Sequence, residues 1–331
     1  MIDITINEIA KMAGVSRATV SRYLNQGSIS QEKKEKIRRV IEETGYQPSV
    51  QAQTLRSKKT KLILVIIPKI NSDSIGRMVE GISLILQEEG FRLLLACTNN
   101  KEKEEINYLH IFKENQADGI ILIGTIFTKE HKQALENLTV PIVILSQKLE
   151  GYSCVYFDDY HAARAITEKL IKYASKLGYL GVTTRDTAVG ERRRRGFFDI
   201  IEEHGLICSP TCQALTGFSM EEAYQKAKEL LEREPKIDAL FCATDTIALG
   251  AISYLSEIGK KIPEEIRICG MGDGRMSRVM HPRLSTVHFY YKTSGKEAAR
   301  LLLDLMREEK PVKKELKMGY DLIERESTRI L

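Results

Sequence analysis

Between Thr5 and Asn25, two arginines, Arg17 and Arg22, stand among small residues, Ser16, Ala18, Thr19 and Ser21. An arginine fork matches the paired acceptors of a guanine edge, and short hydroxyl and amide side chains suit phosphate oxygens. Arg17, Ala18 and Arg22 are therefore candidates for reading bases of double-stranded DNA. Thr5, Ser16, Thr19, Ser21 and Asn25 are candidates for its backbone. A second concentration, Arg192 to Arg195, holds four successive arginines, of which helical geometry lets only one or two face a common direction. Catalytic patterns are weak beside these. Gly270-Met-Gly272-Asp-Gly274 lacks the final glycine spacing and the following helix of a dinucleotide loop. The six histidines show no metal-ligand spacing, and Asp158 and Asp159, read as strand neighbours, point to opposite faces. No catalytic residue, cofactor or metal is expected.

Two short helices must position the first group. Thr5 followed three residues later by Glu8 forms a capping box, after which Ile6, Ile9 and Ala10 supply an apolar stripe. Gly14 suits a sharp turn, Ser16 caps a second helix, and Val20 and Leu24 face its core. A third helix is capped by Ser30, carries Ile37, Val40 and Ile41, and stops at Gly45 before Pro48. Residues 1–48 thus read as a DNA-binding helix-turn-helix headpiece. Residues 49–60 are helix-competent but too short and polar to hold a helix alone, and read as a linker. Residues 1–60 contain 11 Lys and Arg against 6 Asp and Glu, a surplus of 5 that equals the +5 of all 331 residues. A basic appendage on a balanced body suits nucleic-acid binding by the appendage alone.

From Lys61 onward the pattern is α/β. Strands at 62–68, 91–98, 118–126, 140–146, 178–183, 238–243 and 266–270, with one more strand in the last part, 286–331, alternate with helices at 74–89, 102–115, 129–138, 161–176, 190–204, 219–233, 246–258 and 293–308. Near-continuous apolar strands between helices imply parallel sheets covered on both faces, here two doubly wound lobes with a ligand at the strand ends and in the cleft between them. Those ends carry Lys69, Asn71, Ser72 and Ser74, then Gln147 and Lys148, then Thr244 and Asp245, and Asp273. The helix beginning near Ser74 adds free backbone donors. With 43% hydrophobic and 29% charged residues the chain is globular. Its six dispersed cysteines read as core residues in a reducing compartment. No signal peptide is visible, and no apolar run approaches the roughly 18 residues of a membrane span, so a cytoplasmic protein without a membrane partner is expected.

Ile9-Ala10, Ala13-Gly-Val-Ser16 and Thr19-Val-Ser-Arg22 closely resemble the headpiece of the lactose/galactose repressor family, and the resemblance runs over essentially the whole chain. It implies periplasmic-binding-protein-like lobes, the first at about 61–158 and 289–319, the second at about 159–288 and 320–331. It also implies a hinge helix in 49–60 in which Leu55, with Ala52 ahead of it, wedges into the minor groove. The family's sugar-clamping arginine matches Arg193, and Thr244-Asp245 matches a motif at the cleft mouth. Two departures stand out: Gly272 replaces the first of two aspartates, leaving Asp273, and Ser74 replaces an aromatic residue.

Val155-Tyr-Phe-Asp-Asp159, Tyr179-Leu-Gly-Val182 with Gly190-Glu-Arg-Arg193, and the stretch from Leu240 to Gly250 look most like the trehalose-operon repressors. The implied protein is a repressor of a sugar-utilisation operon, bound to pseudo-palindromic operator DNA as a homodimer, since no leucine heptad follows for a tetramer. The implied effector is a sugar or sugar phosphate, with trehalose 6-phosphate the best match. Lys69, Lys148 and the Ser72–Ser74 helix start would hold its phosphate, while Arg193, Asp245 and Asp273 hold hydroxyls. The alternatives are a neutral sugar, or a sugar-binding or sugar-modifying protein without DNA function.

Overall fold

The computed structural model describes residues 4–25, 27–46, 60–112, 117–172 and 174–329. Ala52, Leu55 and nearly all of the hinge segment lie outside the described residues. Residues 1–60 and 61–331 form separate compact units.

In the first unit, α1 (Ile6–Met12), α2 (Arg17–Leu24) and α3 (Gln31–Thr44) enclose a small core of Ile9, Ala10, Ala13, Val20, Ile37 and Val40. The capping box forms as expected, with Glu8 N donating to Thr5 Oγ1 and Thr5 N donating to Glu8 Oε2. Gly14 at φ +64 makes the turn, and Ser16 Oγ accepts from Thr19 N at 3.2 Å. Gly45 ends α3 in the left-handed region at φ +63. Ser30 occupies the cap position of α3 but makes no side-chain capping bond, contrary to expectation.

The second unit opens with β1 (Leu62–Ile67), whose buried Ile63 to Ile67 leave both sheet faces covered. In chain order follow α4 (Asp73–Glu88), β2 (Arg92–Cys97), α5 (Glu102–Ile111), β3 (Gly119–Ile123), α6 (Lys129–Glu136), β4 (Ile142–Leu145) and β5 (Ser153–Phe157). Next come α7 (Asp159–Ile171), β6 (Leu177–Gly181), a π-helical turn at Thr187–Arg192, α8 (Arg193–Glu203), β7 (Gln213–Leu215), α9 (Met220–Arg233), β8 (Ala239–Cys242), α10 (Asp245–Glu257) and β9 (Arg267–Cys269). The chain closes through α11 (Arg275–Val279), β10 (Thr286–Phe289), α12 (Tyr291–Arg307), β11 (Glu315–Met318) and β12 (Tyr320–Ile323).

The strands form two parallel sheets, ordered β11-β5-β4-β3-β1-β2 and β7-β6-β8-β9, with β10 and β12 as an antiparallel pair. The fold class is the expected one. Strands β5, β7 and β11 were not anticipated: β7 is three residues, β11 is a largely exposed edge, and β5 follows a tight turn that blurs its pattern. Asp158 and Asp159 are not strand neighbours, because Asp158 occupies the cap of α7 and Asp159 its first turn. Helix α4 is capped by Ser72, one turn position earlier than a start near Ser74. All six cysteines are free, and five of them are buried.

Helices α4 and α12 touch through glycine. A Cβ on Gly81 would fall 2.0 Å from the Lys292 carbonyl oxygen, and one on Gly295 would fall 2.0 Å from that of Met78. Backbone is the obstacle in both cases, so relaxation must separate the helices. Gly295→Ala should therefore destabilise the protein by about 1–3 kcal/mol or more despite its better helix propensity. Denaturant unfolding should show the midpoint falling, and an unchanged midpoint would refute the close approach.

Candidate functional site

On the headpiece, Arg17, Ala18 and Arg22 of α2 are exposed, as a reading face requires. Ser16, Thr19 and Thr5 are bound locally: Ser16 Oγ and Thr19 Oγ1 lie 2.9 Å apart, and Thr5 serves its capping box. Each is still at or near the surface and free to meet a phosphate. Asn25 is exposed at the end of α2 and donates back to the Ser21 carbonyl. Ser21 itself is a correction. It is only 6% exposed, turned with Val20 toward the helix packing instead of sharing the face of Arg22.

The second candidate site is a cavity of about 830 Å³ between the carboxyl ends of the two parallel sheets. Lys69, Asn71, Ser72, Ser74, Gln147, Arg193, Thr244 and Asp245 all line it. Lys69 Nζ crosses it to donate to the Phe218 carbonyl oxygen at 2.9 Å, and burial holds the lysine below its usual pKa against a weaker upward pull from Glu222. Ser72 Oγ and Ser74 Oγ lie 3.0 Å apart at the start of α4. Thr244 Oγ1 accepts from Ile247 N at 3.2 Å as the cap of α10. Gln147 Nε2 donates to Thr125 O at 3.0 Å and, across the cavity, to Asp186 Oδ1 at 2.9 Å.

Arg193 sits at the back of the cavity, almost wholly buried. Its Nε donates to Asp159 Oδ1 at 2.7 Å and its Nη1 to the Ala243 carbonyl at 2.7 Å, with the guanidinium 5.0 Å from the Phe289 ring centre. Burial pushes the Asp159 carboxyl upward against the pull of Arg193. Asp245 accepts from Gly274 N at 2.8 Å, Ser277 Oγ at 2.6 Å and Thr286 Oγ1 at 2.5 Å. Burial raises its carboxyl and those three bonds oppose the rise. Asp245 thus clasps the 272–277 loop as well as lining the cavity.

Two expected contacts fall away. Lys148 points out of the cavity into an ion pair with Glu315 at 2.7 Å, because β11 places that one carboxylate beside β5, a pairing that the sequence pattern did not reveal. Asp273, 4% exposed, is not among the lining residues and is spent on Arg325 at 2.6 Å, Arg278, and His288 at 2.8 Å. Burial alone would raise its carboxyl, but the hydrogen bonds from Arg325, Arg278 and His288 outweigh it and hold the group below the usual range. Its backbone is left-handed at φ +49, next to Gly272 at φ +145.

Sequence reasoning missed Asp73, Arg77, Asp159, Asp186 and Arg275 as lining residues. Arg77 Nη2 donates across the cavity to Gly272 O at 2.7 Å, its Nε lies 3.1 Å from Asp73, and its guanidinium lies 4.9 Å from the Tyr291 ring centre. The i,i+4 spacing of Asp73 and Arg77 was visible, but the contact with Gly272 depends on the return of the chain 195 residues later. No group of three or more His, Cys, Asp and Glu side chains among the described residues is arranged for a metal ion. No helix among them is long and apolar enough to cross a membrane.

Comparison with known proteins adds to this geometry. Residues 5–49 match the family described as bacterial regulatory proteins, lacI family, and residues 173–328 match a periplasmic binding protein-like domain. The chain is 34% identical over 294 residues to the sucrose operon repressor of Staphylococcus xylosus, covering 88% of this chain and 91% of that protein. It is 29% identical over 302 residues to the HTH-type transcriptional regulator TreR of Escherichia coli (strain K12), covering 91% and 93%. Its fold is similar to that of the lac repressor dimer bound to operator and the anti-inducer ONPF, with a TM-score of 0.88 at 21% identity over 98% of this chain and 99% of that one.

The Arg193–Asp159 pair carries a direct expectation. Asp159→Ala leaves a guanidinium buried without its counter-charge and should cost about 3–5 kcal/mol of stability. Denaturant unfolding checks this, and a loss under about 1 kcal/mol would show that the pair is not desolvated.

Proposed function

We propose, from the premise that the chain belongs to the lacI family of bacterial regulatory proteins, that it is a DNA-binding repressor of sugar-utilisation genes, controlled by an effector in the cavity between its sheets. The observation that carries this reading is the pairing in one chain of an exposed arginine face on a helix-turn-helix with a charged cavity at the carboxyl ends of two parallel sheets. A binding protein without DNA function has no use for the first of these. Ala52 and Leu55 are carried in the proposal as minor-groove contacts. The partner in assembly is a second copy of the chain, supported by exposed leucines on α4 and the edge strand β2, Leu84, Leu94 and Leu95. A two-fold dimer matches two half-sites of pseudo-palindromic DNA.

For the effector we favour a phosphorylated disaccharide, trehalose 6-phosphate first. With Lys148 withdrawn, the phosphate site narrows to Lys69 and the start of α4 at Ser72 and Ser74. A lysine whose charge is disfavoured by burial gains from an anion brought beside it, and a charge-assisted contact is stronger than a neutral hydrogen bond. The competing reading is a neutral disaccharide. Asp73 in the first turn of α4 and Glu221 and Glu222 on the opposite wall favour it, as does the likeness to a sucrose operon repressor.

Arg22→Ala should lower the ratio of specific to non-specific DNA affinity, by about 1–3 kcal/mol if the arginine pairs bidentately with guanine. Gel shifts on DNA upstream of the protein's own gene against random duplex measure that ratio, and an unchanged ratio would remove Arg22 from the reading face. Titration calorimetry of the native protein with trehalose, sucrose and their 6-phosphates should show the phosphates binding more tightly, with Lys69→Ala abolishing the difference. Equal affinity for a sugar and its phosphate would decide for the neutral effector.

A further inference from the structure

The crevice does not end at Asp186. A second cavity of about 820 Å³ continues from the first and shares Asn100, Thr125, Asp186, Phe218, Glu221 and Glu222 with it. Its walls are amphipathic, with Ile126, Val182 and Leu215 set among Thr98, Thr183 and Gln225. Two buried polar atoms on its lining residues, Thr216 Oγ1 and Glu105 Oε1, have no hydrogen-bond partner. The Glu105 side chain is 5% exposed, and although His131 Nε2 lies 3.3 Å from its Oε1, both atoms stay unsatisfied because the contact lacks hydrogen-bond geometry. Buried polar groups are normally paired, and an unpaired one is a standing penalty that a ligand hydroxyl relieves once the side chain turns its oxygen to the cavity.

We propose that this second arm is a sugar-ring subsite, in which Thr216 and Glu105 take hydroxyls of one ring of the effector while the arm around Lys69, Arg77 and Arg193 holds the rest. The proposal rests on reading the cleft as sugar-binding. The chemistry of the arm selects a neutral ring. Glu102, Asp186, Glu221 and Glu222 outnumber Lys101 and Lys226 along it and would repel a phosphate. Leu215, 53% exposed, offers an apolar surface to the C–H face of a sugar. Burial, reinforced by Glu102, pushes the Glu105 carboxyl up to about 8, so near pH 7 it keeps its proton and presents a donor and an acceptor together. A site of this kind separates disaccharides from monosaccharides, because a missing ring leaves its polar atoms unpaired.

Calorimetry on the full chain with glucose, glucose 6-phosphate, trehalose, trehalose 6-phosphate and sucrose tests the proposal. A disaccharide should bind most tightly. Thr216→Val and Glu105→Leu, which remove the polar atoms, should each weaken it about three- to tenfold, the loss of one hydrogen bond, while the affinity for the matching monosaccharide stays the same. Leu215→Trp, at an exposed position that does not threaten folding, should block the arm and abolish the preference for a disaccharide. Equal losses for one ring and two, or no loss for the disaccharide, would overturn the subsite. If none of the five sugars binds while DNA upstream of the protein's own gene is still bound, the subsite falls and the DNA-binding reading stands. If the native protein ignores that DNA, the repressor reading fails whatever the sugars do.

Discussion

The buried ion pair between Arg193 and Asp159 is the constraint on which the second unit turns. Arg193 begins α8 directly after the π-helical turn, Asp159 begins α7 one residue after β5, Ala243 directly follows β8, and Phe289 ends β10. One guanidinium therefore fixes the relative positions of four segments that all end at the cavity. Burying two charges is costly, and the cost is offset only because the pair is close and a carbonyl takes a further N–H. The arrangement resists substitution on either side for that reason. It also explains why only one of the four successive arginines matters to the cavity: Arg194 lies over Phe198 and Arg195 over Tyr160, on the outer side of α8.

Around that pair the cavity is crossed by contacts that join the two sheets' sides. Lys69 reaches Phe218, Arg77 reaches Gly272, Gln147 reaches Asp186, and Arg275 lies 3.5 Å from Asp73. An effector inserted here exchanges its own polar contacts for some of these. It acts only through the difference between its affinities for the arrangements that keep and that break them. Arg77 reaches the Gly272 loop through its backbone: a cation from the opposite wall donates to the Gly272 carbonyl, and the φ of +145 there favours glycine.

Much of this was legible in the sequence because it is local. The capping box of Thr5 and Glu8, the glycine turn at Gly14 and the alternation of apolar strands with helices are set by neighbours three or four residues apart. Arg193 and Asp245 as cavity residues came from the family resemblance and from their place at strand ends. What the sequence hid is long-range. The carboxylate that captures Lys148, Glu315, comes from β11, some 167 residues away, and Asp273 is spent on Arg325 and His288, whose approach depends on the antiparallel pair β10 and β12. Short strands such as β7 carry too few residues to show a period. Ser21 failed for a geometric reason, since it lies beside Val20 and α2 is packed on both α1 and α3.

The central claim is that occupation of the cavity between the sheets changes affinity for operator DNA, and linkage makes this measurable from both ends. If the effector alters the operator dissociation constant by some factor, the operator must alter the effector's by the same factor. Titrating the protein with DNA from upstream of its own gene, with and without saturating trehalose 6-phosphate, and then titrating the sugar phosphate with and without saturating DNA, gives the two factors. The account predicts equal factors of about 5–150, the usual range of such coupling. Two factors of one, with both ligands bound, would contradict it.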